Sequence, residues 1–160
     1  MKVAINGFGR IGKLVFRAFL EKQIKHVDIV AINELGSLES SHHLLQFDST
    51  HGKLPFKIKK TKKGLRYNNN NITFFSERNP EMLPWKKLKI DVVLECSGVF
   101  ASKEKACGHI KAGAKKVVIS APAKNADATI VQGVNNNILN KKHEIISNGS
   151  CTTNCLAPVA

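Results

Sequence analysis

Apolar and polar positions follow two periods along this chain, and their order outlines a layered fold. Within Lys2–Gly12 (KVAINGFGRIG), Val3 and Ile5 alternate with polar neighbours as in a short strand. From Ile11 the apolar residues recur at Ile11, Leu14, Val15, Ala18 and Phe19, one face of an amphipathic helix expected to meet the core. Asp28–Asn33 (DIVAIN) reads as a second buried strand. Residues 38–47 (LESSHHLLQF) read as a short helix using Leu44, Leu45 and Phe47 for the core. Between Lys53 and Ser76 the short runs LPFKIK, GLRY and ITFF predict extended segments, with a turn at Asn68–Asn71. This stretch reads as an antiparallel insertion on a βαβ frame. Pro80, Pro84 and Trp85 mark a loop and a helical turn, and Asp91–Ser97 (DVVLECS) is a strongly apolar strand. Ser102 is placed to cap the next helix and Gly113 to end it. Lys116–Ser120 predicts a further buried strand, followed by short ones at Thr129–Val131 and Glu144–Ser147. Strands alternating with helices predict an α/β class with a doubly wound, mostly parallel sheet.

The connection after the first strand carries chemistry. Asn6-Gly7-Phe8-Gly9 is too rich in glycine to continue a strand, and Gly7, Gly9 and Gly12 stand at GxGxxG spacing between strand and helix. In that context the first glycine permits a tight turn and the second lets backbone approach a pyrophosphate. The third lets helix and strand pack closely, while the helix N-terminus offers N–H groups to phosphate. The alternative is a structural βα turn. Glu34 lies 22 residues past Gly12, where a Rossmann-type dinucleotide fold places the acid that bonds the adenosine ribose. A carboxylate there repels a 2′-phosphate, which favours NAD over NADP. Ser97, Gly98 and Phe100 follow an apolar strand end and become candidates to touch the dinucleotide, although Phe100 serves equally as core packing.

Composition narrows the class. The chain has 160 residues, 42% apolar and 23% charged, which suits one ordinary globular domain. Its first residues fit neither a secretory signal nor a membrane span, and no membrane association is expected. Cysteines at 96, 107, 151 and 155 lack a disulfide framework spacing, which points to a reducing cytoplasm. The net charge of +13 includes one dense patch, Lys57–Lys63, without interleaved aromatics. A solvated lysine-rich surface accounts for it. A basic nucleotide- or nucleic-acid-binding module without catalysis is the competing class, and only charge supports it; it predicts affinity that falls steeply with salt. His42 and His43 are adjacent and do not share a helix face, and no metal site is expected.

The second informative stretch is SNGSCTTNCLAP, from Ser147. A strand runs into small polar residues and then Cys151. Ser150 and Thr152 are natural cap residues, so Cys151 is expected at a helix N-terminus, where the dipole favours a thiolate nucleophile. A buried structural cysteine is the alternative. Cys155, one turn on, is expected in the core.

GFGRIG at the N-terminus and SCTTNC at 150–155 together resemble glyceraldehyde-3-phosphate dehydrogenase and its relative erythrose-4-phosphate dehydrogenase. The resemblance extends over the chain through HLLQFDSTHG at 43–52, SERNPEMLPW at 76–85, ISAPAK at 119–124 and GVN at 133–135. It implies that Asn6, Gly7, Phe8, Gly9, Arg10, Ile11 and Gly12 cradle NAD, with Glu34 at the adenosine ribose, Arg78 near the adenine and Ser120 beside the nicotinamide. Cys151 would attack the substrate aldehyde to give a thiohemiacetal, hydride would pass to NAD, and inorganic phosphate or water would resolve the thioester that is left. The Cys151 backbone N–H would help hold the oxyanion, and Ser150 and Thr152 a phosphate.

Three departures accompany the resemblance. Glu34 replaces the Asp typical of the glyceraldehyde enzymes, and Asn33-Glu34-Leu35 is similar to the erythrose-4-phosphate relatives, whereas residues 120–124 are closer to the glyceraldehyde enzymes. Gly149 stands where the family usually has Ala or Ser, which is expected to loosen the nucleophile's turn. The chain reaches only Ala160. The expected division is an NAD-binding domain over 1–150 and the start of a catalytic domain over 151–160. The family's histidine base and most of its tetramer interface would lie beyond. A helix terminus contributes only ~0.3–1 kcal/mol against ~1.4 kcal/mol per pKa unit, so a separate base has to activate the thiol.

Overall fold

The strand at Lys2–Asn6 (β1) is buried on both faces. Val3 and Ile5 enter one apolar cluster and Ala4 another, which makes β1 the centre of a three-layer structure. The computed structural model describes residues 1–160. After β1 come α1 (Arg10–Glu21), β2 (Asp28–Asn33), α2 (Leu38–Gln46), β3 (Phe47–Asp48), β4 (Gly52–Lys53), β5 (Ile58–Thr61), β6 (Gly64–Tyr67) and β7 (Asn70–Phe75). A 3₁₀ turn at Pro80–Met82 leads to α3 (Trp85–Leu88), β8 (Val92–Glu95), α4 (Lys103–Lys111), β9 (Lys116–Ile119) and β10 (Ala128–Thr129). A second 3₁₀ turn at Asn136–Ile138 precedes β11 (Ile145–Ser147) and α5 (Cys151–Leu156). No helix is long and apolar enough to cross a membrane.

Nine strands form one sheet in the order β10-β11-β9-β8-β1-β2-β7-β6-β5, while β3 and β4 pair separately. Pairing is parallel from β10 through to β7 and antiparallel for β7–β6 and β6–β5. The run β7-β2-β1-β8-β9-β11 is the 3-2-1-4-5-6 order of a doubly wound dinucleotide fold. Its direction of winding reverses between β1 and β8, which opens a crevice at their carboxyl ends. The expected antiparallel insertion is the β5–β6 hairpin added to β7. Its edge strand carries exposed Lys59 and Lys60, which discourages pairing with another chain.

Four details differ from the sequence expectation. The stripe at Ile11, Leu14, Val15, Ala18 and Phe19 is not the deeply buried face of α1; Ile11 and Ala18 are exposed and the other three half-buried. Gly12, Phe16 and Leu20, each four residues apart, face the core instead with Arg17. Gly12 decides this, because its bare Cα is what allows the helix to approach the Gly7 carbonyl. In α2 only Leu45 of the expected three is buried, and Leu44 and Phe47 are about half exposed. Adjacent residues on a helix diverge by about 100°, so Leu44 and Leu45 cannot share one buried line. Asn70 and Asn71 belong to β7, paired with Tyr67 and Arg66. The turn shrinks to two residues, the favoured hairpin closure, with Asn68 at φ 51°. The strand expected at Thr129–Val131 lies at β10, one residue earlier and shorter.

Candidate functional site

The glycine turn separates structural from open glycines. Gly7 adopts φ +87°, and a Cβ there would lie 2.5 Å from the Ser97 backbone; one on Gly12 would lie 2.1 Å from the Gly7 carbonyl oxygen. Neither tolerates a side chain. Gly9 is different, since a Cβ there meets nothing within 4 Å. The chain's own packing does not require that glycine, so the space above it is free for a ligand. Gly9 also caps α1 without a side-chain hydrogen bond, and the first turn of α1 carries no acid. Its N–H groups are thus available to an anion.

Beside this turn lies a cleft of about 350 Å³. Of the expected cofactor residues it gathers Asn6, Gly7, Gly9, Glu34, Arg78, Ser97 and Phe100. It adds Asn33, Leu35, Glu77, Cys96 and Val99, which sequence reasoning passed over. The remaining candidates do not line it. Phe8 is wholly buried against Phe16, ring centroids 6.0 Å apart, which leaves only its backbone near the turn. Arg10 turns away to Asp48 at 3.1 Å and Thr50 at 3.3 Å, and Ile11 is exposed. Gly12 serves the helix–strand contact, Gly98 sits in the loop between lining residues, and Ser120 follows β9 with its N–H on the carbonyl of Glu95 at 3.0 Å, next in sequence to the Cys96 thiol. Burial pushes that thiol up to about 11, only partly opposed by Ser120, so Cys96 is an inert wall residue.

Glu34 ties two cleft segments together. One carboxylate oxygen accepts the Phe8 N–H at 2.6 Å and the other accepts the Gly36 N–H at 2.9 Å. Each oxygen keeps a lone pair for a hydroxyl donor. Lys13 lies close by, donating to the Phe8 carbonyl with its ammonium 5.2 Å from the Phe8 ring centroid. Desolvation lowers the pKa of Lys13, and the Glu34 charge opposes that shift.

At the other end of the same carboxyl edge, β11 runs into the second motif. Ser150 caps α5, its hydroxyl accepting the Thr153 N–H at 2.9 Å, and Cys151 is the first helical residue. Thr152 is inside the helix and not a cap. Gly149 has φ +70°, a conformation that favours glycine, and its N–H reaches the Ser147 hydroxyl at 3.0 Å. Asn154, overlooked in the sequence, clamps the turn by donating to the Asn148 carbonyl at 2.6 Å and the Ser150 carbonyl at 2.9 Å. Cys151 is exposed, and so is Cys155, contrary to the core position expected for it. A helix of this length has one packed side, and Asn154 takes it. Three strands separate β2 from β11, so Glu34 and Cys151 sit about four strand spacings apart, ~19 Å along the edge. An elongated ligand suits that arrangement.

These features define a dinucleotide-binding domain of the doubly wound α/β class. The chain belongs to the glyceraldehyde 3-phosphate dehydrogenase family, whose NAD-binding domain model matches residues 1–103. NAD is accordingly the cofactor of this domain, and the open space at Gly9 fits its diphosphate. Over 160 residues the chain is 50% identical to glyceraldehyde-3-phosphate dehydrogenase of Xanthobacter flavus, covering 100% of this chain and 48% of that protein. It is 52% identical to the plasmid-borne glyceraldehyde-3-phosphate dehydrogenase of Cupriavidus necator, covering 99% and 48%. The Thermotoga maritima enzyme of the same name is 49% identical over 158 residues, covering 99% and 47%. The chain therefore spans about half the length of the curated relatives it matches.

Proposed function

We propose that this chain supplies the NAD site and the nucleophile of an enzyme that oxidises glyceraldehyde 3-phosphate to 1,3-bisphosphoglycerate, a glycolytic step. The observation that carries the reading is the shared carboxyl edge, with an open glycine turn at β1 and a capped, exposed Cys151 after β11. Asn6, Gly7, Gly9, Glu34, Arg78, Ser97 and Phe100 hold the cofactor in this reading, Glu34 accepting from ribose hydroxyls. The Cys151 sulfur adds to the aldehyde carbon, and the N–H groups at the start of α5 receive the oxygen that gains charge. Bound NAD supplies a hydride acceptor, which lets the thiohemiacetal on Cys151 go on to a thioester that inorganic phosphate cleaves. Ser150 and Thr152 take part in holding phosphate. Residues 1–150 form the cofactor domain and 151–160 open the catalytic one.

Neither Ser150 nor Asn154, the residues that hold the α5 turn, is a base, so activation of the thiol falls to a base from further chain, which also supplies most of the tetramer interface. Four free thiols accord with a cytoplasmic location. The test has two parts. The 160-residue chain should bind NAD measurably but not oxidise glyceraldehyde 3-phosphate. In a chain extended to its relatives' length, Cys151→Ser should abolish turnover while NAD affinity stays within twofold. Turnover that survives the substitution overturns the reading, and preferential turnover of erythrose 4-phosphate replaces its substrate.

A further inference from the structure

We propose that Glu95 is a positioning residue for the cofactor cleft, a buried carboxylate that accepts at the centre of the hydrogen-bond chain linking Trp85 to the Glu77–Arg78 wall. The inference rests on the cleft being the NAD site. Glu95 ends β8 at 1% exposure, the one charged side chain in an apolar strand. Four donors converge on it. One oxygen accepts the Asn6 amide at 2.6 Å and His109 Nε2 at 3.0 Å. The other accepts the Ser97 backbone N–H at 2.8 Å and the Ser97 hydroxyl. Glu95 is the acceptor in all four bonds. His109 is fully buried, and its tautomer follows from Trp85. An indole N–H can only donate, and it reaches His109 Nδ1 at 3.0 Å. Nδ1 is therefore bare, and Nε2 carries the ring proton toward Glu95. The charge is held by oriented neutral donors, which is how a buried carboxylate is tolerated without a cation.

That direction propagates to both walls of the cleft. Because Glu95 only accepts, Asn6 must turn its NH₂ toward it, so the Asn6 oxygen accepts from the Asn33 amide at 2.7 Å. Asn33 in turn donates to the Glu77 carbonyl at 2.9 Å and accepts the Glu77 N–H at 2.9 Å, fixing the segment that carries Arg78. On the opposite wall the Ser97 hydroxyl, committed to Glu95, receives the Val99 N–H at 3.1 Å. The Phe100 ring meets His109 edge-on at 6.0 Å. A glutamine at position 95 breaks this pattern. Each carboxylate oxygen receives two donors, so either amide orientation aims an NH₂ at a pair of N–H or O–H groups.

The experiment compares the 160-residue chain with Glu95→Gln, His109→Phe and His109→Gln, by NAD calorimetry and site-resolved amide exchange. Glu95→Gln should weaken NAD binding about tenfold or more, the scale of losing hydrogen bonds to a charged group. It should also speed exchange at the Ser97 and Glu77 amides, the second of which does not touch residue 95. The ladder amide of Cys96, bound to the Asn6 carbonyl at 2.7 Å, should keep its protection. His109→Phe should act likewise. His109→Gln, able to donate to Glu95 and accept from Trp85, should restore both readouts. If Glu95→Gln does not fold, the two His109 variants decide the matter. Uniform loss of protection across the sheet, or wild-type Glu77 exchange in His109→Phe, overturns the proposal. Failure of the unmodified chain to bind NAD overturns the reading of the cleft instead, and the exchange pattern still reports on Glu95.

Discussion

The two ends of the carboxyl edge are built to different degrees. At the β1–β2–β8 end, Asn6, Asn33, Glu34, Glu95 and Ser97 all have their polar groups engaged, and each bond fixes a residue that lines the cleft. At the β11 end the hydrogen bonds of Ser150 and Asn154 hold the turn and the start of α5, while Cys151 and Thr152 face outward. A cofactor site gains from walls set in advance, since ordering them at binding would cost affinity. A nucleophile gains little from being held without the base that activates it. Under the proposed function, the first end is the cofactor site and the second carries the nucleophile, and the contrast is what that reading expects.

The comparison breaks most sharply at the glycines. Gly12→Ala should cost more than about 3 kcal/mol of stability, because the new Cβ meets a backbone carbonyl that cannot move aside. Gly9→Ala should leave stability within about 0.5 kcal/mol while NAD binding falls steeply, since only the ligand needs that space. Paired thermal melts and calorimetry separate the two. If Gly9→Ala binds NAD normally, the diphosphate does not lie over that turn.

Next in size is the core beneath the cleft. Leu45→Ala should destabilise by about 3 kcal/mol and Leu44→Ala by less than about 0.5 kcal/mol, as urea titration would show. Equal losses would mean that α2 is rotated.

A smaller effect concerns the nucleophile's end. The Ile145 N–H, then the Lys103 ammonium and the Glu144 N–H, hold the Asp127 carboxyl down to about 2. A depressed carboxyl contributes stability above its unfolded pKa of ~3.9 and loses it as pH falls toward 2. Asp127→Ala should cost about 2 kcal/mol at neutral pH and flatten the acid side of the stability profile. An unchanged slope between roughly pH 4 and 2 would show that β11 is anchored elsewhere. Smallest of all, Cys151→Ser should leave NAD affinity of the 160-residue chain unaltered, which keeps the two ends energetically separate.

Order and type of the elements were legible in the chain because apolar periodicity and glycine placement are local signals. GxGxxG between strand and helix, the acid after β2, and the serine-capped cysteine each declare themselves within a few residues, so the doubly wound class and both ends of the candidate site were legible locally. Burial and partnership were not local. Which side of α1 enters the core was decided by the close approach of Gly12 to Gly7, and a count of apolar residues does not contain that distance. Phe8 and Arg10 stand in the motif, yet one packs inward and the other leaves for Asp48, because side-chain direction depends on neighbours remote in sequence. Glu95, His109 and Trp85 gave one signal only, a charge inside an apolar strand. The folded sheet had to bring β1, β2, β8, α3 and α4 together before that lone carboxylate could become the point from which the walls of the cleft are hung.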